Sequence, residues 1–353
     1  MPRRKVLVLG AGYFGRLLID DLLRYADCDL IVAGRRRFGS TRVQTALADL
    51  WDPSSLERVL AGVNIAICSA GPFQGLPTSL VDLCLKHRVH YIDLADDRSF
   101  VRKVRLLARG ANETAVCTGW STVSALSGVL VQIAGEGLGA IDSICIHMAP
   151  GNRGARHTAT VASLMYSVGQ QFTVLRDGVW RTVTGWSEPR DFAFPPPIGR
   201  RRGFLVDVPD HELFPELFNA RTVEFRTSSE LPLWNRSVSL LRWLVNRRVV
   251  RDWVRWSRVF QRTAAFLSWM GHDYGSIGVE FTGGAAGRQA SIVADFTAER
   301  LAVMPASIMT TFLLSGAQRQ QYQGLVSPAD WLSREQLMTE CTKRGFRLIV
   351  EER

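Results

Sequence analysis

The chain has 353 residues, 46% hydrophobic and 22% charged, with a formal net charge of +10. That length suggests two domains or more, and that balance excludes fibrous, collagen-like and disordered classes. A positive excess points to nucleic acid, an anionic membrane surface or an anionic small molecule, yet residues 235–270 alone carry eight arginines against one acid, so the rest is close to neutral.

Lys5–Leu9 is a short valine and leucine run, expected as a buried parallel strand. Gly10-Ala-Gly12-Tyr13-Phe14-Gly15 follows, and Phe14, Leu17, Leu18, Leu22 and Tyr25 then recur at helical spacing. Strand, GxGxxG and helix in that order form a dinucleotide-binding fingerprint. Gly10 permits the tight turn, Gly12 lets the backbone approach a pyrophosphate, and Gly15 lets helix pack on strand. Tyr13 and Phe14 fall in the same first turn. The helix N-terminus then offers its N–H groups and positive dipole end to the phosphates.

The second expected strand, Leu30–Ala33, runs into Gly34-Arg35-Arg36-Arg37. A site for NAD(H) expects a carboxylate here to hold the ribose 2′-hydroxyl. Arginines instead suit a 2′-phosphate, which a guanidinium pairs bidentately. Arg35 and Arg36 are therefore assigned to NADP(H), with Ser40 and Thr41 as helpers. Asp49 closes a third strand near the adenine. Asp52 caps a helix that starts with Pro53. Val63–Cys68 is a fourth strand, and the turn Ala70-Gly71-Pro72-Phe73 leaves its carboxyl end, where ligands sit in doubly wound folds. Val89–Leu94 and Ala115–Cys117 are the fifth and sixth strands.

The blocks Ser69-Ala-Gly-Pro-Phe-Gln74, Asp82-Leu-Cys84, His90-Tyr-Ile-Asp93-Leu-Ala95 and Thr118-Gly-Trp-Ser-Thr-Val123 follow the fingerprint in order. With it, this series resembles the saccharopine dehydrogenase-like oxidoreductases over roughly residues 1–130. The resemblance implies an α/β architecture: a Rossmann doubly wound parallel sheet, then a second α/β domain with a mixed sheet. The expected division is 1–125 for NADP(H), 126–300 for substrate or dimerisation, and 301–353 returning to the first domain. It further implies hydride transfer to or from a C–N bond of an amino-acid-derived imine or secondary amine. Many relatives have Pro and Asp where Ser124 and Leu126 stand here, so no catalytic residue is taken from that block.

Proton-transfer candidates are Asp96 and Asp97 after the fifth strand and His157 from the second domain. The competing readings are a helix cap for either aspartate and a surface position for the histidine. His211, His272 and Tyr274 are further candidates without a motif. The histidines lack paired spacing, so no metal is expected. The six cysteines are scattered, without metal-ligand spacing, and suit buried thiols in a reducing compartment. The basic N-terminus precedes an apolar run of only Val6 to Leu9, so no signal peptide is read and the expected location is cytoplasmic. Charge-free stretches Val59–Val81 and Thr114–Gly135 are broken by Gly and polar residues and suit buried strands better than spanning helices.

Ile141–Met148 and Arg221–Phe225 alternate as strands do, Thr158–Gln170 has helical spacing, and Asp177-Gly178 joins a hairpin. Pro195–Gly203 is expected as a surface loop whose arginines either hold a substrate carboxylate or meet solvent. Between 236 and 262, Arg247, Arg251, Arg255, Arg258 and Arg262 form one stripe if the segment is a single helix, with Trp and Val on the remainder. An insertion at 236–270 of this kind suits an interfacial membrane helix, or packing at a core or homodimer interface. Nucleic acid is not an expected partner, since no recognition motif accompanies the charge. Ser291–Phe296 is a late strand, Pro305–Leu314 a helix, and residues from Pro328 a further helix before the strand Arg347–Val350. The alternatives to imine chemistry are reduction of C=C or C=O bonds on a lipid-like substrate, and a non-catalytic NADP(H)-binding scaffold.

Overall fold

A computed structural model of the chain describes residues 3–137, 141–151, 153, 165–230, 232–250, 253, 256–267, 271–283, 286–315 and 321–352. It divides into two compact units, Met1–Leu126 with Arg300–Trp331 and Ser127–Glu299 with Leu332–Arg353. The C-terminal segment 301–353 therefore does not return as one piece. Only its first part joins the first unit, because the final strand pairs within the second sheet.

In the first unit, β1 (Lys5–Leu9) is buried from Val6 onward, because strands covered on both faces are apolar throughout. It pairs in parallel with β2 (Asp29–Gly34) on one side and β4 (Ile65–Cys68) on the other. β3 (Gln44–Leu47), β5 (His90–Asp93), β6 (Ala115–Cys117) and β15 (Gly324–Leu325) complete a parallel sheet of order β15-β6-β5-β4-β1-β2-β3. Strand order reverses between β1 and β4, the switch point at which doubly wound sheets open a crevice for ligand.

Helix α1 (Tyr13–Tyr25) buries Leu18, Ile19 and Leu22, each contributing roughly 2 kcal/mol. The following helices are α2 (Pro53–Leu60), α3 (Ser79–Lys86) and α4 (Arg98–Leu107). Asp52 caps α2 by accepting from Ser54 N, with Pro53 at the first position as expected. The late helix α9 (Met304–Leu314) packs against α1, and Arg300 reaches the buried Asp21 at 3.1 Å.

Helix α5 (Ala125–Gly135) leads into the second unit. There β7 (Ser143–Ala149) lies parallel to β12 (Thr222–Ser228) and antiparallel to β13 (Gly275–Gly283). The mixed sheet has the order β10-β11-β12-β7-β13-β14-β16, with the hairpin β8 (Gln171–Arg176) and β9 (Val179–Thr184) attached to β12. Its other strands are β10 (Arg190–Phe194), β11 (Gly199–Leu205), β14 (Ala286–Ala294) and β16 (Phe346–Glu352). The helices are α6 (Asp210–Phe218), α7 (Pro232–Asn246), α8 (Ser257–Leu267) and α10 (Arg334–Arg344).

Three expectations are corrected. Residues 199–203 are strand, not loop: β11 pairs with β10, and Arg200 and Arg202 each lie 3.0 Å from Asp191, which they hold as its ion partners. The arginine stripe does not lie on one helix. The chain leaves α7 through Arg248 at φ +59°, whose N–H donates to Val245 O while Val249 N donates to Leu244 O. These two bonds satisfy the last carbonyls and end the helix, so Arg258 and Arg262 fall on α8. Arg251 and Arg255 lie outside the described residues. Finally, α10 starts at Arg334 instead of near Pro328, because Ser333 and Gln336 form a capping box there. Of the helix read at 158–170, residues 165–167 are helical and the part before 165 lies outside the described residues. Among the described residues, no helix is long and apolar enough to cross a membrane.

Candidate functional site: a dinucleotide cradle

The loop after β1 is shaped by what its glycines lack. Gly10 has φ +112°, and a Cβ there would stand 2.6 Å from Ala70 N. Its own N–H donates to Ala33 O of β2 at 2.9 Å. At Gly15 a Cβ would stand 2.0 Å from Gly10 O, so α1 can approach β1 this closely only without a side chain. Ser69 adds a donor, its Oγ giving a 2.8 Å bond to Gly10 O. The turn after β4 thus braces the turn after β1 at the sheet's switch point. Ser69 is a contribution that sequence reading missed, since it lies 59 residues from its partner.

Gly12 differs: a Cβ there would meet nothing within 4 Å. It sits at the N-cap of α1, where no side chain caps and the first turn holds no acidic residue. An uncapped helix N-terminus, its positive dipole end and open space coincide at Gly12, which is the arrangement a pyrophosphate requires. The residues present therefore fit a dinucleotide. Tyr13 and Phe14 are half-buried, their rings packed edge to face at 5.5 Å.

Beyond β2, Arg35 and Arg36 are exposed and make no ion pair among the described residues. Nearby, Arg16 of α1 lies over the Phe38 ring at 5.8 Å, placing a third guanidinium at this edge. Arg16 was not singled out from sequence, because the helix pattern reads it only as a polar position. Ser40 accepts from Arg42 N at 3.2 Å. Asp49 spends its carboxylate locally, accepting from Trp51 N at 3.1 Å. After β4, Ala70 is half-buried and Gly71 and Pro72 are exposed, across a cis peptide between the last two. Phe73 turns inward and packs on Phe100 at 5.2 Å, so it anchors the turn and leaves the backbone of Gly71 and Pro72 at the surface.

The β5 edge carries a buried carboxylate. Asp93 Oδ1 accepts from Ala95 N at 3.0 Å and from Gly119 N at 2.8 Å, locking the β5 turn to the β6 turn. Burial pushes Asp93 up to about 6, against the lowering effect of the Gly119 and Ala95 N–H groups. An acid with a higher pKa folded than unfolded favours the folded state while protonated and opposes it once ionised. Its contribution is therefore fully present in acid and is lost as pH rises from about 4 to about 6. Asp93→Asn keeps the acceptor and removes the ionisation. Across that interval the wild type is expected to lose roughly 3 kcal/mol relative to the variant, measured by urea unfolding at pH steps. Parallel pH profiles would contradict this.

Of the proton-transfer candidates, Asp97 is the N-cap of α4 and accepts from Phe100 N at 2.8 Å. Asp96 beside it is half-buried and engaged. His157 lies outside the described residues. His211 is buried and accepts from Phe225 N at 3.0 Å. His272 lies 2.5 Å from Glu230 and stacks on Tyr274 at 4.5 Å.

In the second unit, Cys145, His147 and Glu280 bring three donor atoms within 4.8 Å of one another. Cys145 Sγ lies 3.1 Å from His147 Nε2, and Glu280 lies 3.6 Å from the same nitrogen. The spacing suits a metal, but the charges do not favour one. Arg190 reaches Glu280 at 2.7 Å, while Arg226 and Arg176 each reach Glu224 at 2.7 Å and Arg176 also binds Glu188. Three arginines match three carboxylates, so the cluster is balanced without an ion. A thiolate ligand is further opposed by burial, which pushes Cys145 up to about 12.

Residues 6–116 match the family described as the saccharopine dehydrogenase NADP-binding domain. The match ends within β6. Over the whole chain, the fold is shared with apo saccharopine dehydrogenase (L-Glu forming) from Saccharomyces cerevisiae, at TM-score 0.67 and 15% identity, covering 99% of this chain and 100% of that one. Looser similarity extends to an engineered D-amino acid dehydrogenase bound to NADP+ (TM-score 0.48, 14% identity, 93% of this chain and 94% of that one). An amine dehydrogenase from Mycobacterium smegmatis is similar at TM-score 0.47 and 11% identity, with 92% and 95% covered. No curated protein matches the sequence.

Proposed function

We propose that this chain, whose residues 6–116 match the saccharopine dehydrogenase NADP-binding domain family, is an NADPH-dependent oxidoreductase acting on a C–N bond of an amino-acid-derived imine or secondary amine. The observation that carries the reading is the open space at Gly12, at the head of α1, beside the exposed turn Gly71–Pro72 at the sheet's switch point. NADPH, when bound, supplies a hydride to an electrophilic carbon. The chain's own part is to hold the pyrophosphate on the α1 N-terminus and the 2′-phosphate by Arg35 and Arg36. The β4 turn, braced by Ser69 and anchored by Phe73, fixes the edge where the nicotinamide end lies. Reduction of C=N also takes a proton to nitrogen. Asp96 and Asp97, which follow β5, are the described aspartates for that role, Asp97 also capping α4.

The test is turnover. Purified protein is mixed with NADPH and imines formed from 2-oxo acids and amino acids, and the loss of reduced nicotinamide absorbance is followed. The proposal expects turnover on at least one imine, and oxidation of the corresponding secondary amine with NADP+. Turnover confined to enoyl or carbonyl lipids would replace it with the lipid-reductase reading. Tight NADPH binding without turnover on either panel would leave a cofactor-binding scaffold.

A further inference from the structure

The helical pair α7–α8 leaves apolar side chains in water where a single packed layer would bury them. On α7, Leu240 and Trp243 sit three residues apart on one stripe, and Trp243 is 50% exposed. At the start of and along α8, Trp256, Val259 and Phe266 fall within one narrow arc, with Trp256 53% and Phe266 74% exposed. Val249, in the link, is exposed too. The opposite sides do pack. Val238 is buried, and a Cβ at Gly169 would stand 2.7 Å from Val245, so α7 lies tight on its own unit. Trp253 ties the two helices, donating from Nε1 to Leu241 O at 3.0 Å and meeting the Phe260 ring edge-on at 5.9 Å. The outward stripes are thus fixed, not frayed ends.

The charge identifies what they meet. Residues 235–270 carry eight arginines and one acid. Arg247, Arg248 and Arg262 are exposed, and Arg247 lies over the Trp243 ring at 5.5 Å. A two-fold contact would set this excess against its own copy, repelling across the interface. Nucleic acid would use the arginines but leave Leu240, Val259 and Phe266 in water. An anionic bilayer surface accepts both, apolar and aromatic groups at the headgroup boundary and guanidinium groups among lipid phosphates. We infer that α7–α8 is a docking surface for an anionic lipid bilayer, holding this protein peripherally at the membrane.

The experiment is co-flotation of the full chain with vesicles of phosphatidylcholine alone and with added phosphatidylglycerol. Binding is expected only with phosphatidylglycerol, and is expected to vanish at about 1 M salt, where the Debye length is about 3 Å. Arg247→Gln and Arg262→Gln should each weaken it about 5-fold. Trp243→Ser with Phe266→Ser should abolish it while far-UV circular dichroism and the thermal unfolding midpoint stay unchanged, which shows that the variants are folded. No flotation with phosphatidylglycerol overturns the inference, as does flotation indifferent to these substitutions. A concentration-dependent dimer abolished by Trp243→Ser and Phe266→Ser would overturn it in favour of a subunit interface. Catalytic assays do not enter this readout, so it stands or falls apart from the proposed reaction.

Discussion

Gly12→Ala is expected to leave the fold intact and to weaken NADPH binding roughly 10- to 100-fold, whereas Gly15→Ala unfolds the first unit or nearly so. The two glycines belong to one motif, yet the space around them is opposite. A Cβ on Gly15 would overlap Gly10 O at 2.0 Å. The contact is backbone on backbone, so only a shift of α1 from β1 relieves it. A cost of about 3 kcal/mol or more is expected, a large part of the stability of an ordinary domain. Gly12 has φ −70° and ψ −164°, which alanine adopts freely, and its Cβ position is empty. Loss of a glycine N-cap and gain from reduced unfolded-chain entropy nearly cancel, leaving a net effect within about 1 kcal/mol. The new methyl would instead occupy the space where the pyrophosphate approaches, costing affinity on the scale of an overpacked contact, about 1–3 kcal/mol. Thermal unfolding and NADPH titration on both variants separate the two roles. Equal unfolding midpoints for Gly12→Ala and Gly15→Ala would contradict the assignment.

The second large effect is on cofactor choice. Arg35→Asp is expected to lower NADPH affinity about 10-fold, and Arg35→Asp with Arg36→Asp about 100-fold, as charge-assisted hydrogen bonds to the 2′-phosphate give way to repulsion. NADH affinity should hold or rise, because a carboxylate at the end of β2 accepts from the ribose 2′-hydroxyl. Neither arginine has an ion partner among the described residues, so the fold itself should be indifferent to their loss. A parallel fall in both cofactors would show that the substitutions act through the fold and not through the phosphate.

What could be read from sequence here was local. Lys5–Leu9, the glycines and the α1 periodicity are contiguous, so strand, turn and helix follow from one another; five of the six strands through Cys117 appear where apolar runs place them, while the half-exposed β3 ends at Leu47, two residues short of Asp49. The bracing of Gly10 by Ser69 and Ala70 joins segments about sixty residues apart, and nothing in either segment announces the other. Asp93 read as a strand end for the same reason. Its partner N–H belongs to Gly119, 26 residues on. The errors have the same origin. Pro195–Gly203 holds the composition of a loop, and residues 195–198 do turn, but Arg200 and Arg202 are neutralised across the ladder by Asp191, so residues 199–203 pair as a strand. The break at Arg248 came without Gly or Pro, since an arginine takes the left-handed position that usually marks a helix end. The closing segment divides because Phe346–Glu352 finds β14, a pairing decided by the second sheet and not by the segment's own pattern.

The account rests most directly on a cradle built for a dinucleotide carrying a 2′-phosphate. Titration of the wild-type protein with NADPH and with NADH, followed by quenching of its tryptophan fluorescence, tests it in one measurement. NADPH should bind at least about tenfold more tightly, the worth of one retained charge-assisted contact. Equal affinities for the two cofactors would contradict it.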